Sequence, residues 1–177
     1  RKTNLGSYGV VLAVVLCIHS LGFAQSVCLP LPRLLTLTPM GGTAGAAVDV
    51  VLSGENQDDV SELLFDHAGI KAVPKLDDKG TPIPNTFQIT IAADVPVGLY
   101  EARTWSRLGI SSARIFSVSN LPEVTRTQAN TARENAMSLT VPTICNAVLT
   151  NKAIDHYSFQ ATACKRYNIY CAARGID

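Results

Sequence analysis

Phe87-Gln88-Ile89-Thr90-Ile91 is the stretch that decides how this chain folds. Its apolar residues occupy every second position, which is the period of a strand with one buried face. Phe87, Ile89 and Ile91 are therefore expected to face a core, with Gln88 and Thr90 on the other side. The same grammar extends in both directions. Upstream lie the short apolar runs 35–38, 48–52, 62–65 and 70–73; downstream lie 99–105 and 113–118. Gly, Pro, Asn or Asp bounds each run. Pro39-Met40-Gly41-Gly42-Thr43-Ala44-Gly45 reads as a break after the first run, and Asp77-Asp78-Lys79-Gly80-Thr81-Pro82 as a polar lead into the quoted strand. Short alternating segments at near-regular spacing predict an antiparallel sandwich over 34–118. No segment in this half holds a helical apolar period for long. The fold class expected is all-β.

Ser119-Asn120-Leu121-Pro122-Glu123 reads as a hinge. The polar stretch after it, within 119–136, predicts a linker and opening loop or a short helical turn. Strand-like segments return at 137–141, 143–149, 156–161 and 167–172, with Cys145 and Cys171 reading as core thiols in apolar strands. The last of these runs nearly into the terminus, so a β-domain here would end on an unpaired strand with half a core. Residues 137–177 are accordingly read as an incomplete β-module, less stable than 34–118, and the chain as a fragment of a longer protein.

The N-terminal stretch predicts export. Arg1 and Lys2 precede the apolar run Val10-Val11-Leu12-Ala13-Val14-Val15-Leu16-Cys17-Ile18, and Gly22-Phe23-Ala24 places small residues at −3 and −1 of a cut before Gln25. Residues 1–24 thus read as a secretory signal peptide and 25–33 as an extended leader carrying Leu29-Pro30-Leu31-Pro32. The apolar run is short of the roughly 20 residues that cross a bilayer, so the membrane matters only during export. Cys28 lacks the flanking residues of a lipidation site. The expected location is secreted or cell-surface, periplasmic or extracellular. The 177 residues are 47% hydrophobic and 16% charged, which supports a packed core, and the net charge of +1 leaves no basic stripe for nucleic acid.

No cluster announces a reaction. Of the three His, His19 belongs to the signal peptide, His67 follows Asp66 in a bend, and His156 follows Asp155 at a strand start. Adjacent strand residues point to opposite faces, so neither Asp-His pair converges on one proton or ion. Five Cys include Cys17, removed with the signal; Cys28, Cys145, Cys164 and Cys171 allow three connectivities. A Cys164–Cys171 bridge is disfavoured, because an extended 166–172 separates the two by roughly 20 Å. Cys145 with Cys171 is geometrically feasible across paired strands. Tyr100, Trp105, Tyr157, Tyr167 and Tyr170 are better read as core or cross-strand aromatics than as a sugar platform. There is no nucleophile elbow, phosphate loop or Cys-x-x-Cys pair. No catalytic, cofactor-binding or metal residue is assigned, and the fragment is expected not to be an enzyme.

Two resemblances refine this reading. Pro39-Met40-Gly41-Gly42, Val95-Pro96-Val97-Gly98-Leu99-Tyr100, Gly109-Ile110-Ser111 and Phe116-Ser117-Val118 resemble the turn and strand motifs of IPT/TIG domains, which implies an Ig-like β-sandwich over 34–118. In that setting Pro96 fixes the first corner of a turn, Gly98 supplies a positive φ, and the Tyr100 hydroxyl caps a loop. Gln128-Ala129-Asn130-Thr131, Asp155-His156-Tyr157-Ser158-Phe159 and the segment 167–172 resemble the start of a bacterial pre-peptidase C-terminal domain, implying a partial jelly-roll-like β-sandwich module over 137–177. Some of those relatives bind calcium through acidic positions. Two of the carboxylates are missing here, and Asn130 with Asp155 falls well short of the six to eight oxygens calcium takes, so no cofactor is expected. The resemblance implies a non-catalytic spacer, adhesion or targeting segment of a large secreted or cell-surface bacterial protein, with a protein or polysaccharide partner. The alternative it implies is an accessory part of a secreted peptidase or glycan-degrading enzyme whose catalytic domain lies elsewhere.

Overall fold

A computed structural model describes residues 29–173, so the signal-peptide reading, with Cys17, His19 and Cys28, lies outside the described residues. Among those described, the chain is all-β, with a single 3-10 turn. The strands in order are β1 Arg33–Thr38, β2 Gly41–Thr43, β3 Ala47–Glu55, β4 Glu62–Phe65, β5 Ile70–Leu76, β6 Pro82–Ile91, β7 Gly98–Ser106, β8 Gly109–Ile110 and β9 Arg114–Ser119. Four short strands follow: β10 Glu123–Thr125, β11 Met137–Leu139, β12 Ile144–Asn146 and β13 Tyr157–Phe159.

The first nine strands make a sandwich. One sheet runs β1-β3-β6-β5; the other runs β2-β9-β7-β4, with β8 hairpinned onto β7. Phe87, Ile89 and Ile91 are at most 2% exposed while Gln88 and Thr90 face solvent, as the alternation requires. They meet Leu34, Leu37, Val50 and Leu52 of their own sheet and Leu63, Ala102, Phe116 and Val118 of the opposite one. Phe65 packs edge-on to Phe116 at 5.4 Å between ring centres. Every buried apolar residue of this core falls between Leu34 and Val118.

Three features depart from the sequence reading. Gly41-Gly42-Thr43, expected as a break, is a strand, and it pairs parallel with β9 (Gly41↔Ser117, Gly42↔Val118, Thr43↔Ser119), so the sandwich is not wholly antiparallel. The glycines are there because β2 lies very close to its neighbours. A Cβ on Gly42 would stand 2.7 Å from Ile91 Cδ1, and one on Gly41 would stand 2.7 Å from the Ser117 carbonyl. The expected hinge is tied down: Thr43 Oγ1 donates to the Leu121 carbonyl, and Ser119 Oγ donates to Glu123 Oε1 at 2.8 Å. Finally, 167–172 forms no strand. Ile169 and Tyr170 are 83% and 89% exposed, and the segment pairs with no strand.

The β1–β2 arrangement sets where the chain enters and leaves the sandwich. β1 pairs with β3, then the chain crosses at Pro39 to place β2 beside β9 in the opposite sheet. Arg114 Nε and Ser112 Oγ, at the start of β9, both donate to the Leu34 carbonyl at the start of β1. β1–β2 and β9 therefore run the same way, and the chain comes in at one end and departs at the other. Past that exit, β10 pairs parallel with β12 and β11 parallel with β13, each ladder two strands wide.

Candidate functional site

The densest group of polar side chains lies between these two ladders. Arg126, one residue past β10, reaches Asp155 just before β13: Nε stands 3.3 Å from Oδ2, with the two side chains 12% and 8% exposed. The contact is close enough for ion pairing but is not aligned as a hydrogen bond, and Asp155 Oδ1 has no hydrogen-bond partner. Arg126 Nη1 donates to Asn130 Oδ1 at 3.3 Å, and Nη2 donates to the Val148 carbonyl. Asn130, 2% exposed, returns its amide to the His156 carbonyl at 2.6 Å, while the His156 N–H donates to the Asn130 carbonyl. One guanidinium and one carboxamide thus stitch together three segments that have almost no apolar core. Exposed ion pairs elsewhere, such as Arg33–Glu55 and Arg107–Asp59, cross open solvent and contribute little.

Asn130 and Asp155, the residues nearest to a calcium set in sequence, are thus brought together, but around Arg126. A fixed cation already faces both oxygens, which opposes a second cation in the same place. Among the described residues no group of three or more His, Cys, Asp or Glu is placed to hold a metal ion. Cys145, in β12, is only half-buried. Burial pushes its thiol pKa up, and the Tyr157 hydroxyl and the Arg126 charge offset this only in part. A thiol held protonated is a weak nucleophile. Burial likewise raises Tyr157, with the neighbouring Cys145 adding to the effect.

The remaining candidates take structural positions. Asp66 Oδ1 accepts the Glu101 N–H, and His67 Nδ1 accepts the Gly69 N–H, so this Asp-His pair braces the bend before β5. Tyr100 donates its hydroxyl to the Pro96 carbonyl at 2.7 Å and packs edge-on to His67. It caps the loop as expected. Gly98 does not have the positive φ expected of it; the left-handed glycines are Gly45, Gly80 and Gly109, and Gly98 instead sits at the start of β7 beside the Tyr100 ring. Cys171, expected as a core thiol, is exposed outside any strand; it, Cys164 and Cys145 are unpaired. Tyr157, Tyr167 and Tyr170 do not form one platform with Trp105, which lies on the outer face of the second sheet.

A cleft near the seam of the two halves measures about 210 Å³ and is lined by Gly41, Gly42, Val48, Glu123 and Asn146. It falls below the usual size of a small-molecule site. Both Glu123 oxygens are occupied, Oε1 by Ser119 and Oε2 by Asn146 at 2.7 Å, so the carboxylate is spent on joining β10 to its neighbours. Sequence reasoning missed Arg126 and Glu123, because the partners Val148, Asp155 and Asn146 lie 22 to 29 residues away and nothing local marks them. No protein-family model, curated protein or solved structure matches the chain.

Proposed function

We propose that this chain is an exported, non-catalytic β-sandwich segment that serves as a spacer, adhesion or targeting module within a larger cell-surface or secreted protein. In this reading residues 34–118 are an Ig-like unit of the IPT/TIG kind, and the part beyond is the beginning of a pre-peptidase C-terminal-type module. Its partner is a protein or polysaccharide at the cell surface.

The observation that carries the reading is the parallel pairing of β2 with β9. A polypeptide that enters one pole of a sandwich and leaves the other strings such units in line, each adding a fixed step. β9 alone, at ~3.3 Å per residue, makes that step at least about 20 Å. The polar groups are committed to joining strands: Glu123, Asn130, Arg126 and Ser119 each tie one segment to the next.

Pulling on the full chain from its two ends tests the spacer reading. Force applied at opposite poles loads β1–β2 against β9 and β3 in shear. One discrete rupture should release roughly 85 residues, a contour gain of about 270 Å at ~3.5 Å per residue after subtracting the folded length. Smooth extension with no such step would overturn it. Robust turnover in a hydrolase screen over peptide and glycan substrates would separately overturn the non-catalytic part.

A further inference from the structure

The outer face of the second sheet carries an ordered row that the sandwich itself does not use. Along β7, Ala102, Thr104 and Ser106 point into the protein at 2% exposure or less. The alternate positions face solvent: Leu99 is 58% exposed, Trp105 is 49% exposed, and between them Glu101 and Arg103 pair at 2.9 Å with side chains 49% and 44% exposed. Read along the strand the row is apolar, acid, base, apolar. Ile110, 51% exposed, stands directly across from Trp105 and widens the apolar end.

We propose that this face is a self-association surface, occupied by the same face of a second copy of the chain. The order of the row is its own complement under a two-fold axis that passes over Ala102 and lies across the strands. Such an axis sets two β7 strands antiparallel, face to face. Glu101 of each copy then meets Arg103 of the other, and Leu99 meets Trp105. Face-to-face sheets pack about 10 Å apart, within reach of these side chains. A symmetric pair needs a patch that complements itself, and this row does so in both charge and apolarity. The patch is on the order of 400 Å² per copy, at the small end for specific contacts, so the dimer forms in a concentration-dependent way suited to crowded copies on a surface. The inference rests on the face alone and stands apart from the spacer reading.

The test uses the full chain, its Glu101→Arg and Arg103→Glu variants, and their equimolar mixture. Trp105 is the sole tryptophan, so its emission reports this face and ignores association through any other part. The unsubstituted chain should show a blue shift of Trp105 emission with rising concentration and a matching monomer–dimer shift in sedimentation. Each single variant sets like charges opposite one another and should dimerise at least tenfold more weakly. The mixture should restore both signals, because a Glu101→Arg chain then faces an Arg103→Glu chain and every contact across the axis again joins opposite charges. That restoration also shows that both variants are folded. Failure of the mixture to associate overturns the proposal, as does dimerisation of either variant at the original concentration. An emission that stays fixed with concentration in the unsubstituted chain also overturns it and leaves the face to a different partner.

Discussion

Replacing Ile89 with alanine tests the sandwich at its centre. Ile89 is fully buried and sits mid-strand in β6, with Val48 of β3 on one side and Ala72 of β5 on the other. Three buried carbons are removed, worth about 2.4 kcal/mol at ~0.8 kcal/mol each. Strands on both flanks and the facing sheet hold the site open. A residual cavity of about 50 Å³ then adds about 1.2 kcal/mol. The expected loss is about 3.5 kcal/mol, a large share of the stability of a domain this size. Urea unfolding followed by far-ultraviolet circular dichroism measures it. With a slope of about 2 kcal/mol per molar, the midpoint should fall by roughly 1.7 M at unchanged slope. Thr90→Ala, one residue along and facing solvent, is the control and should move the midpoint by less than about 0.3 M, in keeping with a surface change of no more than about 0.5 kcal/mol. If Ile89→Ala shifts it no more than Thr90→Ala does, the inward assignment of β6 is wrong.

Other outcomes follow from the same contacts. Lys75 donates to Asp49 and holds its carboxyl below the ordinary range; Lys75→Met should raise the Asp49 pKa in a carboxylate NMR titration, and the small stabilisation it gives should fade as pH falls through the folded value rather than near neutrality. Arg126→Ala leaves the Asp155 carboxylate buried without its cation, which costs about 3–5 kcal/mol where such pairs are intact; amide exchange should quicken across β10 to β13 and stay unchanged over 48–118. In the unsubstituted chain, exchange should already be slower over 48–118 than over 143–172, and equal protection would contradict the confinement of the apolar core to the first half. Alkylation near pH 8 should modify the exposed Cys164 and Cys171 before Cys145, whose thiol burial keeps protonated; Cys145 reacting first would refute that placement.

The alternating runs were legible because a half-buried strand writes its period into the sequence. Phe87-Gln88-Ile89-Thr90-Ile91 became a strand with the expected inward residues; Leu99-Tyr100-Glu101-Ala102-Arg103-Thr104-Trp105 also became a strand, but it turns Ala102 and Thr104 inward and leaves Trp105, read as a core or cross-strand aromatic, half exposed. What stayed illegible depends on partners distant in the chain. Gly41-Gly42-Thr43 has poor strand propensity and is a strand only because β9 and the tight packing on Ile91 hold it there. The segment 167–172 has good propensity, yet it touches β13 through the Tyr167 ring on Phe159 and forms no ladder with it. Propensity proposes a strand; pairing decides. The Arg126–Asp155 contact was hidden for the same reason, since a charge in a polar stretch carries no mark of the segment it will meet.

The sandwich also shows why association belongs on a face rather than at an edge. Unpaired strand edges recruit other chains unless they are blunted. β1 and β2 divide one side of the sandwich between the two sheets, and each is short. On the other side, β4 is four residues long, while β5 carries Pro74, which has no N–H to donate, flanked by Lys71 and Lys75 and followed by a register shift before Leu76. The two poles carry the incoming and outgoing chain. The outer face of the first sheet places Asp49, Lys75 and Gln88 together in a hydrogen-bonded polar group, with Val51 and Val73 exposed around it. The β7 face differs in the order of its row. It leaves Leu99 and Trp105 in water at either end of a charge pair, and a second copy of the same face, laid over it two-fold, covers both while pairing the charges.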